Sequence, residues 1–157
     1  FEGSNPSLSA RYIKLLVGLY VSGKGGLRQP LSFSCDYTAE MNHRQFESVV
    51  RRAFDRFPDW VREELEEIDI LVVDEVDESL DPDHEGLLGL YIGVPLTERS
   101  LDQAGELSDI IYIFRRPHLE LGLSDQELRK EIVTTLTHEI AHYFGIDDDQ
   151  LDELGWG

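Results

Sequence analysis

One cysteine, Cys35, in 157 residues leaves no pair for an intramolecular disulfide, so the fold does not depend on an oxidising compartment and the cytoplasm is the expected location. Basic residues are also scarce, 14 against 32 acidic, which sets the formal charge at −18. That balance, with no local basic patch, excludes nucleic acid backbones and anionic membrane surfaces as expected partners. No apolar run approaches the roughly 18 residues needed to cross a bilayer. The longest, LLVGLYV at 15 to 21, follows Arg11 and Lys14 in the manner of a signal peptide, but the lipobox-like LSFSC ending at Cys35 lies too far downstream of it, and export is not expected. Methionine occurs once, at Met41.

What the chain does contain is globular: 41% apolar residues and 10% aromatic, over a length that supports one domain with a hydrophobic core. Two compositions meet near residue 41. Residues 1 to 40 carry four basic and three acidic residues and are rich in Gly and Ser; residues 41 to 157 carry 10 and 29. The expected organisation is therefore an extension over 1 to 40, outside the folded domain, and a domain over 41 to 157, with Met41 as its natural start. The acidic domain concentrates cations, divalent metals included, within a screening distance of about 10 Å.

Phe46, Val49, Val50, Ala53, Phe54 and Phe57 form a helical stripe, with Asn42 and Gln45 as a capping box and Pro58 as its end. A second short helix is expected from Pro58 to about Glu66. IDILVVDEV (68 to 76), LLGLYIGVPL (87 to 96) and DIIYIFRRP (109 to 117) read as three strands, the second with glycines that signal a bulge or a close approach to its backbone, the third stopped by Pro117. Ser124 opens a long helix with SDQE as capping box; Leu128, Ile132, Leu136, Ile140 and Phe144 mark its buried face and Gly145 its end. A last turn carries Leu151, Leu154 and Trp156 back to the body. The expected class is α+β: N-terminal helices, a small mixed sheet and one long helix.

That long helix carries H138-E139-x-x-H142-x-x-G145-x-x-D148. His138 and His142 lie four apart, so their imidazoles project side by side and can reach one Zn²⁺. Glu139 is turned about 100° from His138, placed to take a proton from a zinc-activated water and pass it to a leaving amine. Gly145 can adopt positive φ and reverse the chain, which makes Asp148 the favoured third ligand. Asp147 and Asp149 remain alternatives, with Asp149 and Asp152 as a possible cap of the last helix, and Glu153 is a further acidic candidate. Gly89 and Tyr91 are candidate substrate contacts in the strand expected to face this helix, where an extended peptide could add. Tyr143, Tyr112 and His118 are weaker candidates for stabilising an oxyanion, and Glu131 and Thr135 for supporting the histidines. His43 and His84 fall outside ligand spacing. GLYVSGKG (18 to 25) nearly spells a phosphate-binding loop, but Gly25 stands where Ser or Thr should hold Mg²⁺.

The motif resembles that of the zincin metallopeptidases, its glycine hook being similar to the metzincin arrangement with aspartate in place of the third histidine. GLYIGVPLTERS (89 to 100), IYIFRRP (111 to 117) and THEIAHYFGIDDDQLDELG (137 to 155) together resemble the minimal zincin-like metallopeptidase family of small bacterial and archaeal proteins. The resemblance covers about 41 to 157. It implies one Zn²⁺ per chain held by His138, His142 and Asp148, with Glu139 as general base in peptide hydrolysis. No methionine follows the motif, so a Met-turn is excluded, and a shallow cleft is expected. The expected partner is a peptide or protein substrate of unstated identity, and a monomer is the default. The alternatives are an acidic binding module with a structural zinc, and hydrolysis of a non-peptide amide.

Overall fold

The computed structural model describes residues 41–82, 86–99 and 109–153, all within the unit Met41–Gly157. The expectations for residues 1 to 40, for the phosphate-loop-like stretch, for His84 and for Leu154 and Trp156 lie outside the described residues. Within them run α1 (His43–Phe54), α2 (Asp59–Glu64), β1 (Asp69–Val73), β2 (Gly89–Ile92), β3 (Ile110–Phe114), α3 (Arg115–Glu120), α4 (Asp125–Tyr143) and α5 (Asp148–Glu153). The class is α+β, as expected. Among the described residues no helix is long and apolar enough to cross a membrane.

Both expected capping boxes form. Asn42 accepts from the Gln45 backbone N–H while the Gln45 side chain accepts from Asn42, and Ser124 and Glu127 do the same at the start of α4. The α1 stripe buries Phe46, Val49, Val50 and Ala53 against α4, whose Leu128, Ile132, Leu136 and Ile140 are buried in turn. Phe144, expected on that face, is only half-buried beyond the helix end, with its ring 5.8 Å from Trp60.

The strands are shorter than their apolar runs and lie in the order β1-β3-β2, β1 parallel and β2 antiparallel to the central β3. Ile111 and Ile113 of β3 are fully buried, and their register partners Gly89 and Tyr91 of β2 share that face. The sheet therefore meets α4 through β2 and β3. Pro117 does not stop the third strand. The strand ends at Phe114, and Pro117 sits in the first turn of α3, where its missing N–H costs no helical hydrogen bond.

Candidate metal centre

The last turn of α4 ends in a Schellman motif. Gly145 adopts φ 81°, its N–H reaches the His142 carbonyl at 2.9 Å, and the Ile146 N–H reaches Ala141 at 3.1 Å. This reversal brings the Ile146 carbonyl back onto His142, whose Nδ1 lies 2.8 Å from it. A carbonyl can only accept, so Nδ1 carries the proton and Nε2 presents a lone pair. The chain then enters α5, which Asp147 caps: its Oδ1 accepts from the Gln150 N–H at 2.9 Å. Asp147, and not Asp149, takes the capping role because the Gly145 reversal starts the helix earlier than the sequence suggests.

Asp148 follows that cap, and its Oδ1 lies 3.1 Å from His138 Nε2 and 3.4 Å from His142 Nε2. Among the described residues, no other group of three His, Cys, Asp or Glu side chains gathers its ligand atoms around one point. Glu153 is not in the cluster. The imidazole rings stand 4.5 Å apart at 83°, each about one-quarter exposed, whereas the Asp148 side chain is 79% exposed.

This donor set fits zinc. Two ligands at about 2.0–2.1 Å from a tetrahedral centre stand about 3.3–3.4 Å apart, close to the two separations found here. The polarity agrees as well: His142 Nε2 and Asp148 Oδ1 are both acceptors and face each other, an arrangement that a cation between them relieves. The Ile146 carbonyl fixes the tautomer that leaves Nε2 free for a metal.

Glu139 points from the same helix to the β2 edge and is buried, 6% exposed. Burial pushes its carboxyl up to about 7; the Tyr91 backbone N–H, which donates to it, opposes that rise, and the negative charge of Asp148 adds to it. A bound divalent cation would oppose it further. Gly89 explains how so large a side chain lies against a strand: a Cβ there would stand 2.7 Å from Glu139 Oε1 and 2.7 Å from Thr135 Cγ2. The close approach read from the glycine is that of Glu139 and Thr135.

The register explains why Tyr91 meets Glu139. Phe114 N–H bonds the Leu88 carbonyl at 2.9 Å, so Leu88, Leu90 and Ile92 turn their backbone groups to β3, and those of Gly89 and Tyr91 point out at the sheet edge. Tyr143, Tyr112 and His118 are committed elsewhere. The Tyr143 hydroxyl donates to the Glu64 carbonyl at 3.1 Å, and Tyr112 stacks on Phe114. His118, fully buried, donates through Nδ1 to the Phe114 carbonyl at 2.6 Å, and its Nε2 lies 3.0 Å from Thr135 Oγ1. His43 bonds Asp74 at 3.0 Å, and Glu131 contributes its carbonyl to Thr135.

Residues 65–156, more than half of the chain, match the profile of the zincin-like metallopeptidases. The chain belongs to that family. No curated protein sequence matches it. Membership in the zincin-like metallopeptidases carries a zinc cofactor and peptidase chemistry as family properties. The region matched contains β1 to α5, and with them His138, Glu139, His142 and Asp148.

Proposed function

We propose that this zincin-like metallopeptidase binds one Zn²⁺ per chain through His138 Nε2, His142 Nε2 and Asp148 Oδ1, and hydrolyses peptide bonds with Glu139 as general base. The observation that carries this reading is the convergence of both imidazoles on one Asp148 oxygen, with Glu139 on the adjoining side of the same helix. When bound, zinc supplies a Lewis acid that polarises the scissile carbonyl and lowers the pKa of the attacking water. Glu139 takes the proton of that water on its carboxylate and returns it to the departing amine nitrogen.

The substrate on this reading is an extended peptide laid along the edge of β2 that β3 does not pair. Gly89 and Tyr91 turn their backbone groups outward there, and main-chain hydrogen bonds to them would align a scissile bond beside Glu139 without demanding particular side chains.

Replacing Glu139 by Gln removes the base but keeps size and burial. Hydrolysis of fluorescein-labelled casein is expected to fall by about 10²–10⁴-fold while zinc content, measured by elemental analysis, stays at one per chain. In His142→Ala the zinc itself is expected to be lost. Undiminished hydrolysis in Glu139→Gln would reject the mechanism, and zinc bound equally by wild type and His142→Ala would reject the site. Zinc without hydrolysis of peptides or small amides would instead support the acidic binding module.

A further inference from the structure

Resting on the reading of His138, His142 and Asp148 as a zinc site, we propose that Thr97, in the loop after β2, is a positioning residue for the metal: its side chain seats the Gly145 reversal that delivers Asp148. Thr97 lies outside the metal-ligand motif. It acts through the third ligand.

The loop is fastened before it reaches the site. The Val94 N–H donates to Asp109 Oδ1 at 3.3 Å and Arg99 Nε donates to the Val94 carbonyl at 2.8 Å, so the two ends of 94–99 are tied to each other and to the residue that precedes β3. Asp109 also accepts from the Arg99 guanidinium. Between those ends the Glu98 N–H closes a tight turn on the Pro95 carbonyl at 2.9 Å, with Leu96 and Thr97 at its centre.

That turn docks on the end of α4. The last carbonyls of a helix have no partner within the helix. Here those of Ile140, Ala141 and His142 are taken by the N–H groups of Phe144, Ile146 and Gly145, and that of Tyr143 by the Leu96 N–H at 2.9 Å. The Arg99 guanidinium carbon lies 5.1 Å from the centre of the Tyr143 ring, a cation–π distance. The loop therefore completes the helix end that carries His142.

Thr97 reaches one step further. A Cβ on Gly145 would stand 2.0 Å from Thr97 Oγ1 and 2.8 Å from Thr97 Cγ2, so the Thr97 side chain occupies the place that any residue other than glycine would need there. The Schellman bonds run from the Gly145 and Ile146 N–H groups back into α4 and leave the Gly145 Cα bare, in the residue type with the widest backbone freedom. Thr97 closes that side. It is itself exposed, so burial of apolar area does not account for its place.

Asp148 depends on this seat more than the imidazoles do. His138 and His142 project from a long helix packed on α1 and the sheet. The Asp148 side chain is 79% exposed and pairs only with those two imidazoles among the described residues, so the main chain leaving Gly145 decides where its carboxylate lies. Burial of Ile146 and Leu151 holds the following segment on the body, but apolar burial is non-directional, whereas a zinc site holds its ligand distances to about 0.2 Å. A side chain wedged against the joint supplies the missing constraint.

Competition with a chromophoric chelator, on the folded full chain, tests this without a substrate. Thr97→Gly empties the place beside Gly145 and should weaken zinc binding by about 10-fold, in the range for residues that support a metal ligand. Thr97→Ser keeps the oxygen that stands nearest Gly145 and should stay within about threefold of wild type. The deciding measurement is a double-mutant cycle. In an Asp148→Ala background Thr97→Gly should change affinity by less than about twofold, because the ligand through which Thr97 acts is gone. Unchanged affinity in Thr97→Gly would overturn the proposal, as would an equal loss in both backgrounds, which is general loosening, or a loss in Thr97→Ser as large as that in Thr97→Gly. Failure of the zinc reading appears separately, as wild type that binds no zinc or as affinity unchanged in Asp148→Ala.

Discussion

Two aspartates in this domain receive histidine side chains, and their other partners are opposite in kind. Asp74, just past β1, accepts from Arg115 Nε at 2.7 Å and His43 Nδ1 at 3.0 Å, and those bonds hold its carboxyl down at about 2. Arg115 also donates to the Met41 carbonyl at 2.9 Å, so the group ties the start of α1 to the junction of β1 and α3. Asp148 meets two imidazoles, and no Lys or Arg among the described residues pairs with it. A carboxylate with a permanent cation is a finished structural tie. One facing an imidazole whose only N–H already serves the Ile146 carbonyl places acceptor against acceptor, which a metal between them would relieve.

The largest expected effect breaks the two apart. Asp148→Ala should weaken zinc binding by more than about 100-fold, since even outer partners of metal ligands are worth 10- to 100-fold. Asp74→Ala should leave zinc affinity unchanged within about twofold and lower only the melting temperature. Competition with a chromophoric chelator measures the first, and a thermal scan the second. Equal losses of zinc affinity in the two variants would dissolve the distinction.

A smaller effect sharpens it by asking what holds each carboxylate's surroundings. The metal side depends on glycines: Gly145 at φ 81° packs against Thr97, and Gly89 has Glu139 where a side chain would be. Gly145→Ala is expected to cost about 1–2 kcal/mol for the left-handed backbone alone. Gly89→Ala should cost about 1–3 kcal/mol and also displace Glu139, so casein hydrolysis falls more than stability does. Urea melts beside activity measurements separate the two; loss of stability with activity intact in Gly89→Ala would mean Glu139 is not held there.

How much of this was legible follows from how local each signal is. Capping boxes at Asn42 and Ser124, the α1 stripe and the spacing of His138, Glu139 and His142 depend on residues within one or two helical turns, and they form where the pattern puts them. Gly145 is legible too, because a Schellman motif is encoded by its own few residues. The apolar runs overstate the strands, since they continue into the turns that flank them, and they conceal α3, because Pro117 reads as a stop although it falls in a first turn. What sequence could not convey are pairings across long separations: Asp109 with Tyr91 and Arg99, Arg115 with Asp74, His118 with Thr135. His118 shows the limit well, a histidine adjoining proline that turns out wholly buried.

The smallest expected effect is a pair of pH windows, measured on zinc-free protein so that metal release adds no dependence of its own. Asp74 is a carboxyl whose folded pKa is depressed, from 3.8 to about 2, so the stability it contributes is complete above 3.8 and is lost as pH falls toward 2. Asp74→Asn should flatten the urea midpoint between those values. His118 is a histidine whose pKa burial lowers, against the opposing pull of the Phe114 carbonyl. Its unfolded form gains a proton near 6.5 while the folded ring stays neutral, so stability begins to fall as pH drops below 6.5, and His118→Gln should remove that slope. The two windows open at different pH, at 6.5 for His118 and at 3.8 for Asp74, which lets the slope between those values report on His118 alone. A slope near 6.5 that Asp74→Asn removed and His118→Gln did not would show that the Asp74 group is not the fixed tie its arginine makes it.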